Sequence, residues 1–202
     1  LLFGFPLPII FALLLNEVRS TAFRKVVQTI TYMPHFVSSV VVCGLMVIFC
    51  RSDGLLTSIL THFGMPKTNL LTIEGYFQPL YIGMNIWQEL GWDSIIYFAA
   101  LTSVDAALYE AARVDGAGRW RQMWHITLPG IAPTIVILLI LRIGNLMSLG
   151  WDRIILMYND MVMETADVIS TYVYRTGLQQ VQYSYATAVG LLNSIINVIL
   201  LV

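Results

Sequence analysis

Three charged residues interrupt long apolar stretches of the sequence: Glu89, Asp93 and Arg142. A charged side chain near the centre of a bilayer costs about 2.5–3.5 kcal/mol on the insertion scale unless it is paired or wetted. If their runs cross a membrane from opposite sides, Arg142 lies roughly 16.5 Å from the inner face, and Glu89 and Asp93 lie roughly 10.5 and 16.5 Å from the outer face. We therefore expect Arg142 to pair with Glu89 or Asp93, either as a lock within a helical bundle or in the wall of a polar cavity.

Polar and aromatic side chains accompany these charges. Asn85, Trp87 and Trp92 surround Gly91 in the same apolar run, which offers amide groups, flat indole faces and a possible kink of the kind that suits a sugar ring. Together with the charged residues they form a candidate polar path through the apolar runs: Asn85, Trp87, Glu89, Trp92, Asp93, Arg142 and Asn145.

No catalytic or metal-ligand set accompanies these residues. A P-loop needs G-K-[S/T], but Lys25 follows Arg and Lys67 follows Pro, so the chain cannot bind ATP through that motif. Neither G-x-S-x-G nor H-E-x-x-H is present, and the histidines at positions 35, 62 and 125 are far apart. We predict no catalytic residue, no metal and no cofactor, so that any energy must come from a partner.

The composition is that of a membrane protein. Of 202 residues, 57% are hydrophobic and 11% are charged, against about 25% charged in soluble domains. So few charges cannot cover the surface of a water-soluble domain, and a mean hydropathy of +0.74 agrees. The net charge of −1 and the lack of a basic cluster argue against nucleic-acid binding, so we expect no nucleic-acid partner.

Five apolar runs suggest membrane helices, since a bilayer core of about 30 Å takes about 20 helical residues. They are residues 1–15, 32–50, 82–101, 131–148 and 185–202. The first would cover roughly 22 Å and begins without Met, and the fifth ends without an interfacial anchor. We expect residues 1–202 to be one transmembrane domain that is truncated at both ends.

Basic residues indicate which segments face the cytoplasm. Segments 16–35 and 102–130 hold three Lys or Arg residues each, six in 49 positions, whereas 51–79 and 149–184 hold two each, four in 65. Loops enriched in Lys and Arg face the cytoplasm. The 102–130 loop is therefore predicted to lie on the cytoplasmic side.

The 102–130 loop has the pattern of two short helices joined by a turn. Ser103 or Asp105 can cap the first helix, its alanines leave the backbone approachable, and Gly116 ends it. We expect Pro129 to begin the next span. The second helix is predicted to carry one apolar stripe at the spacing i, i+3, i+4: Trp120, Met123 and Trp124. On physical grounds alone, the alternative is a loop that lies on the membrane surface.

The same loop contains seven residues at the spacing E-A-A, three residues, G, nine residues, I-x-L-P. They are Glu110, Ala111, Ala112, Gly116, Ile126, Leu128 and Pro129. This complete pattern resembles the signature of permeases of binding-protein-dependent ABC importers. The resemblance implies that residues 103–129 form a coupling loop, whose helix sits in a groove of a separate cytoplasmic ATPase subunit.

The resemblance also implies a fold and a set of partners. The fold is an all-α, polytopic helical membrane bundle, with five spans present of the six that are usual in the family. The implied partners are two ATP-binding subunits, a second and different permease subunit, and an extracytoplasmic solute-binding protein. The implied location is the inner (plasma) membrane of a bacterial cell, within the lipid bilayer, with ATP bound by the ATPase subunits.

Two further stretches, 164–175 and 183–190, resemble the carbohydrate-uptake branch of these permeases, particularly those for oligo- or polysaccharide fragments. The implied function is ATP-driven import of an oligosaccharide or other carbohydrate, without covalent chemistry on this chain. The alternative is an ATP-independent carrier or channel, which internal inverted repeats would favour. No such repeat is visible in the sequence.

Overall fold

The computed structural model describes residues 1–147 and 150–201, which form helices with short connections and contain no strand. Two 3₁₀ turns, Met33–Phe36 and Leu70–Thr72, and two π-helical turns, Met123–Thr127 and Arg175–Gln179, lie between α-helices. The α-helices are α1 Pro6–Asn16, α2 Thr21–Tyr32, α3 Ser39–Cys50, α4 Leu55–His62, α5 Glu74–Thr102, α6 Ala106–Val114, α7 Arg119–Gln122, α8 Leu128–Gly144, α9 Trp151–Met157, α10 Met163–Ala166, α11 Ile169–Tyr174 and α12 Tyr183–Leu201.

Two helices in the described ranges are each long and apolar enough to cross a membrane: Arg119–Gly144 and Tyr183–Leu201. Two bent pairs qualify when each is taken as one span: Thr21–Phe36 with Ser39–Cys50, and Glu74–Thr102 with Ala106–Val114. Pro6–Asn16 is a shorter apolar helix. Each of the five predicted runs therefore contains a helix, although residues 148 and 202, where the fourth and fifth runs were predicted to end, lie outside the described residues.

The predicted run 32–50 is not one helix. α2 ends at Tyr32, a 3₁₀ turn surrounds Pro34, and α3 begins after Ser38, whose backbone is not helical at ψ 137°. Proline lacks a backbone N–H and its ring crowds the carbonyl four residues earlier, so the α-helix changes to a 3₁₀ turn at Pro34, and helical geometry is lost at residues 37–38. Hydrophobicity continues through this point, and for that reason the run alone did not reveal the break.

Pro129 does not begin a new span, contrary to the prediction. α7, the π-helical turn Met123–Thr127 and α8 follow one another without a gap as a single helix, Arg119–Gly144. Pro129 cannot donate a hydrogen bond to the carbonyl four residues earlier, and the wider i→i+5 bonding of the π turn accommodates it. The predicted second helix of the loop is thus the first part of the span.

The chain forms two compact units, each with its own core. The first unit consists of Leu1–His35 and Ile86–Arg142, and the second of Phe36–Asn85 and the described part of Ile143–Val202. In the first, α1, the later part of α5 and the helix Arg119–Gly144 bury Ile9, Ala12, Leu13, Tyr97, Leu101, Met123 and Ile131. In the second, α3, the earlier part of α5 and α9 supply most of the core: Val42, Cys43, Cys50, Leu70, Leu71, Phe77, Met84, Ile154, Met157, Val162 and Ala166.

Within the first unit, α5 packs closely against the end of α2 at Gly91. A Cβ atom at Gly91 would lie 2.1 Å from the carbonyl oxygen of Thr31 and 2.9 Å from Cδ1 of Tyr32. No side chain fits there without displacing backbone. α5 continues as a helix through Gly91, so this glycine serves close packing in the structure.

We predict that Gly91→Ala destabilises the protein, because the added methyl group must push the backbone of α2 away. Overpacking of this kind costs about 1–3 kcal/mol. The matched control is Gly83→Ala on the same helix, where no heavy atom of the described structure lies within 4 Å of the added Cβ. Thermal unfolding of the purified protein in detergent should show a lower Tm for Gly91→Ala and an unchanged or higher Tm for Gly83→Ala. Equal melting temperatures would contradict the close contact.

Candidate functional site

One turn of α5 carries three of the predicted path residues on one side of the helix. Glu89, Trp92 and Asp93 stand at positions i, i+3 and i+4, so they share a face. Within the first unit this face contacts His35 and Arg142. We call these three residues, together with His35 and Arg142, the charged cluster.

His35 is the member of the charged cluster that the sequence did not reveal. Its Nδ1 lies 2.7 Å from Oε2 of Glu89, and its ring stacks on the indole of Trp92 with centroids 4.2 Å apart and planes 2° apart. These contacts fix both α5 side chains against the end of α2. The sequence around His35 contains no pattern that predicts this contact, because Glu89 lies 54 residues away. The one available indication was the position of His35 directly after Pro34, where a change in the helix is expected.

Arg142 pairs with Asp93, which is one of the two partners predicted for it. Nη1 of Arg142 lies 3.7 Å from Oδ2 of Asp93, and the Arg142 side chain remains 51% exposed in this chain. Glu89, the other predicted partner, is in contact with His35. The helix-depth argument therefore identified the ion pair correctly, and the pairing itself is confirmed.

The other predicted path residues are divided between the two units. Trp87 belongs to the first unit and is exposed. Asn85 and Asn145 belong to the second unit, where the Asn85 amide donates to the carbonyl of Tyr81 at 2.7 Å and accepts from Nη1 of Arg153. The structure thus brings together Glu89, Trp92, Asp93 and Arg142, and a role of the seven residues in translocation stays a prediction.

In the predicted coupling segment, residues 103–129, the first helix begins and ends where the sequence predicts. Oδ1 of Asp105 accepts a hydrogen bond from the N–H of Ala107 at 2.9 Å and caps α6. Gly116 has φ +73°, and the N–H groups of Gly116 and Ala117 donate to the carbonyls of Arg113 and Ala112 at 3.1 and 2.8 Å. This is a Schellman motif, whose left-handed position strongly favours glycine.

α6 packs little of its own surface within the chain. It contains no buried residue, and Glu110 and Ala111 are exposed. Two large apolar side chains are also exposed: Leu108 at 52% and Val114 at 88%. A hydrogen bond of 2.9 Å between the hydroxyls of Tyr109 and Thr127 connects α6 to the helix Arg119–Gly144. α6 is thus a well-capped helix with little of its surface packed within the chain.

The later residues of the segment differ from the prediction. Trp120, Met123 and Trp124 do not form one buried or one exposed stripe, because Met123 is buried in the core of the first unit while both indoles are exposed. The three positions span about 100° of the helix surface, and the helix packs through one edge of that arc. Of the remaining motif residues, Ile126 and Leu128 are half-buried and Pro129 is exposed.

A second ion pair lies outside the predicted membrane runs, between Asp167 and Arg175. Nη2 and Nη1 of Arg175 donate to the two carboxylate oxygens at 2.6 and 3.3 Å, and the Thr171 hydroxyl donates to Oδ1 at 2.6 Å. Burial raises the pKa of the Asp167 carboxyl, but these hydrogen bonds outweigh it and hold the pKa below its usual value. The guanidinium also lies over the ring of Tyr172, 5.7 Å from its centroid.

These features define a helical membrane protein with a well-capped, largely exposed helix between two of its candidate spans. The chain belongs to the family of binding-protein-dependent transport system inner membrane components, whose family model matches residues 4–202. The family assignment made from the seven motif residues is confirmed.

Several known proteins are similar to this chain. The polygalacturonan/rhamnogalacturonan transport system permease protein YteP of Bacillus subtilis (strain 168) is 52% identical over 197 residues, which are 97% of this chain and 61% of YteP. The crystal structure of a bacterial ABC transporter involved in the import of the acidic polysaccharide alginate matches 99% of this chain and 70% of the solved chain, with 50% identity and a TM-score of 0.96. A bacterial alginate ABC transporter in complex with a periplasmic protein bound to an alginate pentasaccharide gives 50% identity and a TM-score of 0.95, with the same coverage.

We predict that Asp167→Asn lowers the stability of the protein at neutral pH by about 1–2 kcal/mol, because it removes the charge from a bidentate pair. A carboxyl with a lowered pKa stabilises the folded state above its unfolded pKa, and this contribution is lost as the pH falls through the folded pKa. The gap in Tm between wild type and variant should therefore close well below about pH 4.

The control for this prediction is Asp53→Asn, since Asp53 forms a looser pair with Arg51, with 3.8 Å between Oδ1 and Nε, and both side chains are well exposed. Exposed pairs contribute about 0–1 kcal/mol. If Asp167→Asn and Asp53→Asn shift the Tm equally at neutral pH, the Asp167–Arg175 pair has no special role in stability.

Proposed function

We propose that this chain is the permease part of an ATP-driven importer of acidic oligosaccharides, and that it is coupled to a separate ATPase through residues 110–116. The observation that carries the proposal is α6: a rigidly capped helix that projects Glu110 and exposed apolar side chains, in a chain of the binding-protein-dependent transport family. The chain spans 61% of YteP, so the activity of the whole protein is proposed from this part.

The geometry of α6 supports the coupling role. Its cap at Asp105 and its Schellman motif at Gly116 fix both ends, so a force on the helix moves it as one body. α6 follows α5 after three residues, at an angle of 70°, and a displacement of α6 is therefore carried into α5. α5 in turn bears the charged cluster. When the ATPase dimer closes on ATP, the resulting movement of α6 can thus pass through this one connection to the charged cluster.

Acidic sugars are the proposed substrates because two similar proteins transport them. The name of YteP gives polygalacturonan and rhamnogalacturonan, and the solved neighbour imports the acidic polysaccharide alginate. At 52% and 50% identity, we infer that this chain shares their substrate class.

The proposed assembly contains four kinds of component. A second permease subunit completes the path, two ATP-binding subunits dock on the cytoplasmic side where residues 102–130 are placed by their positive charges, and an extracytoplasmic binding protein delivers the sugar. The alginate transporter solved with its sugar-bound periplasmic protein supports the last component. The proposed location is a bacterial inner membrane.

We predict that Gly116→Val uncouples transport, because a β-branched residue at φ +73° strains the end of α6 and misplaces the docking surface. Glu110→Arg should do the same by reversing an exposed charge. In membranes that contain all subunits, both variants should insert normally but lose about tenfold or more of ATP-dependent uptake and of ATPase retained on purification, the loss that follows from about 1.4 kcal/mol of docking energy.

The control for this test is Gly118→Ala in the same segment, where φ is −67° and no described heavy atom lies within 4 Å of an added Cβ. It should transport normally. Full uptake by both Gly116→Val and Glu110→Arg would contradict ATPase coupling through α6.

We also predict that the complete transporter in proteoliposomes accumulates trigalacturonate when ATP and the binding protein are supplied. An ATPase subunit with an inactivated catalytic site should abolish uptake. Accumulation that continues without ATP hydrolysis would identify the chain as part of an ATP-independent carrier or channel instead.

A further inference from the structure

Two arginines with carboxylate partners differ in how fully their donors are used. Arg175 donates to both oxygens of Asp167, and its side chain is 20% exposed. Arg142 lies 3.7 Å from one oxygen of Asp93, beyond hydrogen-bond distance. Across residues 1–147 and 150–201, the Arg142 guanidinium makes no hydrogen bond, although half of the side chain is exposed. Arg142 therefore has donors available for a further acceptor.

The position of Arg142 limits what that acceptor can be. It lies near the C-terminal end of the apolar helix Arg119–Gly144, and a charged side chain within a span faces protein or a water-filled cavity rather than lipid. A guanidinium presents five N–H donors in a planar fork that matches the two oxygens of a carboxylate. The partner that best satisfies it is a carboxylate with bidentate geometry, which Asp93 does not supply at 3.7 Å.

We propose that Arg142 recognises a carboxylate of the transported sugar, and that this carboxylate takes the place of Asp93 as its partner. The inference rests on the importer function proposed above and adds the residue that selects acidic over neutral sugars. The exchange keeps Arg142 paired with one carboxylate, and the released Asp93 carboxylate must then be hydrated. A neutral sugar cannot compete with Asp93, because it brings no charge to replace the one it displaces.

Trp92 supplies an apolar surface beside this pair. It precedes Asp93 in sequence, the ring of His35 covers one of its faces at 4.2 Å, and 42% of the residue remains exposed. An indole face suits the C–H face of a sugar ring, so the cluster combines a ring platform with a carboxylate-binding cation. His35 and Glu89 hold that platform in place and are positioning residues.

The test compares two sugars of equal length, trigalacturonate and its fully methyl-esterified form, whose carboxylates are masked. ATP-dependent uptake of each is measured in proteoliposomes that contain the complete transporter, and the ratio of acidic to esterified uptake is taken for each variant. The same binding protein delivers both sugars, so its own preference cancels when variants are compared. A variant that assembles poorly lowers the uptake of both sugars by the same factor, because both are measured in the same preparation. Poor assembly therefore leaves the ratio unchanged.

We expect Arg142→Gln to lower the ratio by about tenfold or more, the factor that corresponds to 1.4 kcal/mol. Arg142→Lys keeps the charge but loses the fork, and should fall between Arg142→Gln and wild type. Asp93→Asn removes the competing carboxylate and should raise the ratio. The double variant Asp93→Asn with Arg142→Gln should keep the low ratio.

Three results would overturn the inference. An unchanged ratio in Arg142→Gln would make Arg142–Asp93 a purely structural pair. A ratio that returns to the wild-type value in the double variant would show that the single variant acts through repulsion by Asp93. A ratio that does not rise in Asp93→Asn would exclude competition at Arg142. If wild type accumulates neither sugar, the proposed function itself fails, which is a separate outcome from the three above.

Discussion

The first unit depends on neutralising two carboxylates that α5 carries in an otherwise largely apolar stretch. An unpaired carboxylate in an apolar span is costly, and one turn of α5 carries two of them, Glu89 and Asp93. His35 meets the first and Arg142 the second, and between these contacts Gly91 lets the end of α2 come close. The need to neutralise both carboxylates therefore holds α5 against the turn that follows α2 and against the helix that carries Arg142. In the proposed coupling, a movement of α6 acts on this arrangement, because only three residues connect α6 to α5.

The parts of the structure that follow from local chemistry could be predicted from the sequence. A carboxylate before an alanine-rich helix predicts an N-cap, and a glycine after it predicts a left-handed C-cap, as Asp105 and Gly116 show. The Arg142–Asp93 pair was also accessible, because the rise per residue and the cost of burying charge limit which depths can match. The seven motif residues identified the family.

The parts that depend on tertiary packing could not be predicted. The break at Pro34 and the π turn before Pro129 lie within apolar sequence, where hydrophobicity alone cannot show how backbone hydrogen bonds are arranged. The contact of His35 with Glu89 joins distant parts of the chain and has no local pattern. Similarly, Met123 turns inward while the neighbouring indoles stay exposed, because the core of the first unit accepts only one edge of the predicted stripe.

In the proposed importer, the polar side of α5 faces an aqueous path whose access changes with ATP. Ile96, which is 51% exposed and lies on the same face of α5 as Glu89, Trp92 and Asp93, reports on this when it is replaced by cysteine in a chain whose Cys43 and Cys50 have been changed to Ala. The rate at which a membrane-impermeant maleimide labels Ile96→Cys from the outside should be measured in the assembled transporter without nucleotide and with ATP trapped. We predict that the labelling rate differs between the two states. Equal rates, or no labelling in either state, would contradict it.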